Sequence, residues 1–359
     1  MPAIAIAAGG GGDAIAAAML ASAMPELGIR AIMSYSWDRF MIDPVPGPRT
    51  ATDFQGLIDR GGVMEIPAGA ALHKGQSTLP RLAGCIDKPV LLLDAASGAA
   101  GMADLINSAA EVFAAAEVVV VDVGGDILAE GHEDSLRTPL ADSLALAAAA
   151  RSALPVRVIV AGTGLDGELT NRELRSRLHQ LEARRTGALT SRDAAPFTDV
   201  WSWHPSEANG LLAAAASGWR GRVETQRAAV IELTDAAPHI FEVDARRLVD
   251  TSLAAPLVST SELREAEAIL RNRRGGRSEL DIERRRAVVG YAEVVVPNRE
   301  TLGVIDEYVR GARGRVDALT IRRVAELVRA IDPPTTDALR TLLTHSRGLN
   351  FRPPLYRCR

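Results

Sequence analysis

The stretch AIAIAAGGGGDAIAAAML, residues 3–20, decides the class of fold. Its apolar run Ala3–Ala7 has the composition of a strand that is buried on both faces. Four consecutive glycines follow at Gly9–Gly12, and then an alanine-rich run of helical length, Asp13–Met24. A strand, a glycine turn and a helix in this order predict the first unit of a βαβ fold.

The same pattern recurs through the first 165 residues, where short apolar runs alternate with longer alanine- and leucine-rich runs. The further predicted strands are Ile29–Tyr35, Pro89–Asp94, Glu117–Asp122 and Val156–Ala161, and the helices between them include Gly101–Ala115 and Pro139–Ala153. This alternation predicts an α/β protein with a Rossmann-like, mainly parallel, doubly wound sheet and a helical C-terminal extension.

The remainder of the chain contains a long loop and a mainly helical end. Residues 36–78 are crowded with proline, glycine and charge, and their interleaved aromatic residues favour an ordered loop. A helix is predicted at Asn171–Arg185, and strands at residues 228–234 and 239–245. Ser259 and Glu262 then form a capping-box pattern at the start of a helical tail. We expect an α/β ligand-binding domain over residues 1–258 and a mainly helical extension over residues 259–359.

Composition restricts the class of protein. Hydrophobic residues make up 47% of the 359 positions, and the formal net charge is −4, so there is no basic excess for nucleic acid or an anionic membrane. The two cysteines, Cys85 and Cys358, show no zinc-ligand spacing, which fits a reduced cytoplasmic compartment. We expect neither a signal peptide nor a membrane span. A small anionic molecule is the expected partner, and the helical tail is compatible with a homo-oligomer.

Glycine-rich turns follow four of the predicted strands. In a parallel sheet these turns all lie at the carboxyl edge, where open α/β sheets bind ligands. A single glycine turn has a purely conformational explanation, but four at one edge favour a site where backbone amides and helix N-termini approach an anion. The predicted cofactor-binding residues are Gly9, Gly10, Gly11, Gly12, Asp94, Gly124, Gly125, Gly162, Gly164 and Glu207.

Carboxylates at the same edge indicate a cation. Asp122 and Asp126 flank a Gly-Gly turn, and Asp166 follows the next strand. Carboxylates beside a phosphate-binding backbone repel phosphate unless a cation lies between them, so we predict Mg²⁺ with Asp122 and Asp166 as ligands. We interpret Asp13 and Asp142 as residues of helix first turns.

The predicted catalytic residues are Asp122, Asp126 and His204. His204 follows two tryptophans in WSWHPSEANG, where it acts either as a general acid or base or as a residue packed against the rings. Arg39 and Arg49, on the long loop, are the predicted clamps for a carboxylate or phosphate of the substrate.

Known cofactor motifs fit only loosely. Gly9-x-Gly11-x-x-Ala14 satisfies the dinucleotide fingerprint, yet the second predicted strand lacks a terminal acid that would hold a ribose. The sequence contains neither a Walker lysine motif nor a G-x-S-x-G elbow.

Six motifs occur in order, from AAGGGGDA through the segments Trp37–Arg49, Val121–Glu133, Pro139–Asp142 and Gly162–Leu169 to W-x-PSEA at Trp203–Ala208. From about residue 3 to about residue 270 this order resembles the uncharacterised family catalogued as domain of unknown function 1152. The resemblance groups these residues and implies no particular activity.

Together these features predict an enzyme that binds a nucleotide or anionic metabolite and catalyses Mg²⁺-assisted group transfer or ligation, with ATP or another nucleotide as cofactor. An NAD(P)- or S-adenosylmethionine-dependent enzyme, a metal-assisted hydrolase or lyase, and a non-catalytic metabolite sensor are the alternatives.

Overall fold

The computed structural model describes residues 1–289 and 294–358, which form an α/β structure with a large mixed sheet. The helices of these residues are α1 (Gly11–Ala23), α2 (Thr78–Ala83), α3 (Gly98–Val112), α4 (Pro139–Arg151), α5 (Asn171–Gln180), α6 (Ser191–Ala194), α7 (Glu207–Ala216), α8 (Ala245–Thr251), α9 (Leu263–Arg273), α10 (Leu280–Val289), α11 (Arg299–Ala312), α12 (Ile321–Val328) and α13 (Pro333–Arg347). The strands are β1 (Ala3–Ala7), β2 (Ile29–Ser34), β3 (Phe54–Gln55), β4 (Ile58–Asp59), β5 (Met64–Glu65), β6 (Ala71–Leu72), β7 (Val90–Leu92), β8 (Glu117–Val123), β9 (Val156–Ala161), β10 (Arg184–Ala188), β11 (Gly221–Glu224), β12 (Val230–Leu233), β13 (His239–Val243), β14 (Ala318–Thr320), β15 (Phe351–Arg352) and β16 (Leu355–Arg357).

The large sheet has nine strands in the order β10-β13-β9-β8-β1-β2-β7-β5-β4. Its five central strands, β9 to β7, are parallel, and they are the five predicted from the first 165 residues. The two strands on each flank pair antiparallel, which makes the sheet mixed. On one side, β4 and β5 come from the loop after β2, which is ordered as expected.

Burial on both faces explains the continuous apolar strands. In β1, Ala3, Ala5 and Ala7 pack into one hydrophobic core with α1, whereas Ile4 and Ile6 pack into a second core on the opposite face with α3 and α4. Each face of the sheet is therefore covered by helices, and period-2 alternation of polar residues is absent from this strand.

The strand order creates a crevice at the carboxyl edge. From β1 the chain proceeds first to β2 and β7 on one side and then returns to β8 and β9 on the other. The connections that follow β1 and β8 consequently diverge, and in open α/β sheets a ligand binds where they part.

Several predicted helix boundaries are wrong. The helix predicted at Gly101–Ala115 is α3, which begins and ends three residues earlier, at Gly98 and Val112. The helix that begins at Asn171 ends at Gln180, because Arg184 and Arg185 belong to β10. The helix after Ser259 begins only at Leu263, so the expected capping box does not form there.

A second sheet joins strands from both sides of residue 258. Its order is β12-β11-β14-β16-β15, and β11 lies parallel to β14. The helices α11, α12 and α13 form a third hydrophobic core against this sheet. Residues 259–358 thus include three short strands besides the expected helices. None of the helices described is both long and apolar enough to cross a membrane.

Candidate functional site

A cleft of about 170 Å³ opens at the carboxyl ends of β1, β8 and β9. Its lining includes the four glycines after β1, Asp126 after β8, and Asp166 after β9. Among the residues described, nine acidic side chains and four arginines line it. The excess of acids indicates a site that attracts cations, with arginines available for an anion beside them.

Three buried carboxylates, Asp13, Asp122 and Asp142, lie close together at the site. Each offers one oxygen that lies within 4.8 Å of the oxygens of the other two. Two oxygens that bind one Mg²⁺ or Ca²⁺ from opposite sides are separated by about 4–5 Å, so this spacing suits a divalent cation. We call these three residues the carboxylate trio.

Some carboxylate oxygens of the trio have no hydrogen-bond donor among the residues described. Asp122 has no exposed surface, and neither of its oxygens has a hydrogen-bond partner among the residues described; the same is true of Oδ1 of Asp142. Asp13 is held in place, because its Oδ2 accepts from the Gly9 amide at 3.0 Å and its Oδ1 accepts from Nδ2 of Asn209 at 2.9 Å. Buried carboxylates without donors are ready to accept a cation.

Burial dominates the electrostatics of these acids. It raises the pKa of Asp122 to about 7, with the charge of Asp13 as the next cause, and it raises the pKa of Asp13 to about 6. The side chain of Asp126 and the amides of Ile127 and Gly125 oppose the upward shift of the Asp122 pKa, but among the residues described none of them makes a hydrogen bond of normal geometry to Asp122. Burial, followed by the charge of Asp122, also raises the pKa of Asp142. Protons or a cation would each neutralise the charge of the trio.

Asp13 and Asp142 lie in the first turns of α1 and α4, as predicted, but they also face each other across the cleft edge. Sequence reasoning assigned them only the helix role and missed the trio. The available signal was that each acid opens a helix at the carboxyl edge of the sheet. Only the strand order brings those two helix starts beside Asp122.

Asp166 and Asp126 line the cleft outside the trio. Asp166 accepts the Glu168 amide at 2.8 Å through Oδ1, and its buried Oδ2 has no hydrogen-bond partner in the described part of the chain. Burial raises the pKa of both residues well above the ordinary range for aspartate. Glu168, in contrast, accepts three hydrogen bonds from Arg137 and Thr138 and so caps the segment that enters α4.

The glycines after β1 pack closely against neighbouring segments, and two of their amides begin a helix. A Cβ on Gly10 would lie 2.4 Å from the carbonyl oxygen of Trp37, and one on Gly11 would lie 2.9 Å from Oδ1 of Asp38. The amides of Gly11 and Gly12 begin α1 and have no acceptor in the part of the chain that the structure describes. These glycines are required by close packing, and their amides remain available to an anion at the helix N-terminus.

His204 is buried in the lining of the cleft, and both of its ring nitrogens are engaged. Nε2 lies 3.1 Å from Oγ1 of Thr78, and Nδ1 accepts the Ser206 amide at 3.2 Å. Trp201 and Trp203 meet the ring edge-on. Burial lowers the pKa of His204 to about 3, so the ring is neutral at physiological pH. The two engaged nitrogens and the neutral ring fit the packing interpretation, and a role of His204 as a general acid or base stays a prediction.

Of the remaining predicted site residues, some line the cleft and others lie outside its lining. Arg39 and Glu207 line the cleft, whereas Arg49 is buried in a two-bond pair with Asp43, at 2.8 and 3.1 Å, away from the lining. Asp94 accepts the amides of Ala51 and Ala96 at the end of β7, two strands from β1. Four predicted glycines have positive φ and do not line the cleft: Gly124, Gly125, Gly162 and Gly164.

Several residues that line the cleft were not predicted from the sequence. Glu279, just before α10, accepts the amide of Leu140 at 3.0 Å, and Asp38 accepts the amide of Thr78 at 2.9 Å. Asn209, in the first turn of α7, positions Asp13. These residues carry no motif of their own, because their role depends on contacts between distant segments.

Comparison with known proteins yields one match. No curated protein and no solved structure matches the chain. The family model described as "Protein of unknown function (DUF1152)" matches residues 4–287, in agreement with the order of the six motifs. Because this match spans most of the chain, the protein belongs to the DUF1152 family.

Proposed function

We propose that this chain is a Rossmann-like, doubly wound enzyme that binds one divalent cation in the carboxylate trio and an anionic metabolite or nucleotide beside it. The observation that carries the proposal is Asp122, which is fully buried and has no hydrogen-bond partner for either oxygen among the residues described. A carboxylate in that state is costly unless a cation or proton occupies the site.

In this proposal the carboxylate trio binds the cation, and the backbone amides at the start of α1 bind the anion. Asp122 and Asp142 offer free oxygens to the cation, and Asp13 is fixed as a third ligand by Gly9 and Asn209. The amides that begin α1 face an anion. A bound Mg²⁺ would neutralise charge between these two groups of residues, which suits Mg²⁺-assisted group transfer or ligation on a phosphate-bearing compound such as ATP.

A dinucleotide or adenosylmethionine cofactor has less support. The second glycine of the fingerprint, Gly11, normally leaves room for a pyrophosphate. Here the carboxylate of Asp38, itself buried, occupies the space beside Gly11. The strand β2 also ends at Ser34 without an acid for a ribose.

Titration with Mn²⁺, followed by calorimetry and by the loss of the free-ion electron paramagnetic resonance signal, tests the cation. At pH 8 we expect the wild type to bind Mn²⁺, and Asp122→Asn to bind it at least 10-fold more weakly because a charged ligand is lost. Asp104→Asn, which alters an exposed acid on α3, is the matched control. Equal Mn²⁺ affinity in wild type and Asp122→Asn would rule out the trio as the cation site.

Nucleotide use is tested separately. A thermal-shift panel of nucleotides, nicotinamide cofactors and adenosylmethionine, with and without Mg²⁺, should show stabilisation by a nucleotide that depends on Mg²⁺. Stabilisation by NAD(P) or adenosylmethionine without Mg²⁺ would contradict the proposal.

A further inference from the structure

Four arginines from separate segments line the same cleft as the carboxylate trio. Arg39 lies on the loop after β2, Arg137 precedes α4, Arg227 lies between β11 and β12, and Arg322 lies in the first turn of α12. We call these four residues the arginine rim. Like charges repel, so four guanidinium groups that line one cleft require negative charge nearby, from acids of the protein or from a ligand.

The acids of the protein compensate only part of the rim. Arg322 contacts Oε2 of Glu207 at 3.5 Å, and Arg137 contacts Oε1 of Glu168 at 3.6 Å. Across the residues that the structure describes, the side chains of Arg39 and Arg227 make neither an ion pair nor a hydrogen bond. Both are exposed at the cleft, so their donors are available to a ligand.

The rim arginines influence one another. Burial lowers the pKa of Arg322, and the charges of Arg39, Arg137 and Arg227 lower it further. The partial pairing with Glu207 opposes this effect. The four guanidinium groups therefore share one electrostatic environment and are not isolated surface charges.

The backbone at Arg227 is held in an unusual conformation. Arg227 and Ala228 have φ values of 65° and 58°, in the left-handed region that disfavours residues with a side chain. Two amides fix the turn: that of Gln226 donates to Oε1 of Glu207 at 2.8 Å, and that of Arg227 donates to Oε2 of Glu326 at 2.9 Å. Such strain persists where surrounding contacts enforce it, often at ligand sites.

The chain beyond residue 287, where the family match ends, contributes one arginine of the rim. The matched region ends at residue 287, yet Arg322 lies in the cleft lining. Oγ1 of Thr320 donates to Oε1 of Glu207 at 2.5 Å, which ties the start of α12 to the start of α7. Glu207 therefore positions the C-terminal segment at the site.

We infer that the arginine rim binds a phosphate-bearing, multiply charged tail of the substrate. This inference rests on the proposed function and names its substrate class. A monocarboxylate has one negative charge, which is too little for the unpaired Arg39 and Arg227 together. A diphosphate offers several charges and enough oxygens for two or more planar guanidinium forks.

Inorganic pyrophosphate is the probe, titrated by calorimetry into the full-length protein at a constant excess of Mg²⁺. Arg39→Ala and Arg227→Ala change exposed side chains that have no partner within residues 1–289 and 294–358, so both variants should fold. Each should weaken pyrophosphate binding by about 10- to 100-fold, the effect of losing one charge-assisted contact. Arg310→Ala, an exposed arginine of α11 outside the cleft, is the control and should bind pyrophosphate like the wild type.

Two results would overturn the inference: wild-type affinity for pyrophosphate in both rim variants, or equal wild-type affinity for acetate and pyrophosphate. Mn²⁺ titration without pyrophosphate separates this failure from failure of the proposed function. The rim variants should keep wild-type Mn²⁺ affinity. If the wild type binds Mn²⁺ but the rim variants still bind pyrophosphate normally, only the rim inference fails. If the wild type binds no Mn²⁺, the proposed function fails.

Discussion

Replacing Asp122 with asparagine should change how the stability of the metal-free protein depends on pH. Burial raises the pKa of Asp122 from 3.8 to about 7. The unfolded chain releases this proton near pH 4, whereas the folded protein holds it until about pH 7. The contribution of the protonated acid is therefore complete below pH 4 and is lost as the pH rises through 7.

The magnitude follows from the size of the shift. Three pKa units correspond to about 4 kcal/mol, since each unit is worth about 1.4 kcal/mol. Asp122→Asn has nearly the same shape and does not titrate. Between pH 4 and pH 8, the wild type should thus lose up to about 4 kcal/mol of unfolding free energy relative to the variant.

Urea denaturation at pH 4, 6 and 8 in the presence of a chelator measures this difference. Mn²⁺ at 100 times its dissociation constant should then stabilise the wild type at pH 8 by about 2.7 kcal/mol, with little effect on Asp122→Asn. Asp104→Asn should behave like the wild type throughout. If Asp122→Asn shows the wild-type pH slope, or if Mn²⁺ stabilises both proteins equally, the reasoning about the trio is wrong.

Three further predictions concern packing and titration. Gly10→Ala should destabilise the protein by about 1–3 kcal/mol in thermal or urea unfolding, because the new Cβ would lie 2.4 Å from the backbone oxygen of Trp37; an unchanged melting temperature would contradict this contact. Gly303→Ala, inside α11 with nothing near the added Cβ, should instead stabilise by up to about 1 kcal/mol, and a loss of stability would show that the site is not open. Burial lowers the pKa of His204 from 6.5 to about 3. Below pH 6.5 the unfolded chain binds a proton at this ring that the folded protein does not bind, so the free energy of unfolding should fall as the pH drops from 6.5 towards 3. His204→Gln should reduce this acid sensitivity, and an NMR titration of the ring near pH 6.5 would refute the burial argument.

The central strands were predictable because each is a continuous apolar run between turns. The observed β1 and β9 match the predicted bounds, and β2 and β8 differ from them by one residue at their ends. Helix ends were harder to place. The helix after Ser259 begins at Leu263, and Thr260 instead accepts the amides of Ala99 and Ala100 in α3, a contact that the local capping pattern does not reveal.

The site was predicted in part. Glycine turns and aspartates at strand ends indicated the carboxyl edge, and Asp126 and Asp166 do line the cleft there. Arg49 illustrates the limit, since nothing local distinguishes an arginine that binds substrate from one that pairs with Asp43. Arg322 lies in the C-terminal segment, and its place at the cleft depends on the pairing of β11 with β14.

The sequence by itself determined the parallel strands, the helices between them and the edge that carries the glycines and acids, because hydrophobic period and turn composition are local properties. Only the tertiary structure decided which charged groups meet. The order β9-β8-β1-β2-β7 places the starts of α1 and α4 beside Asp122, so Asp13 and Asp142 share one buried space with it. Desolvation and charge repulsion depend on that proximity, which residues far apart in the chain acquire only through folding.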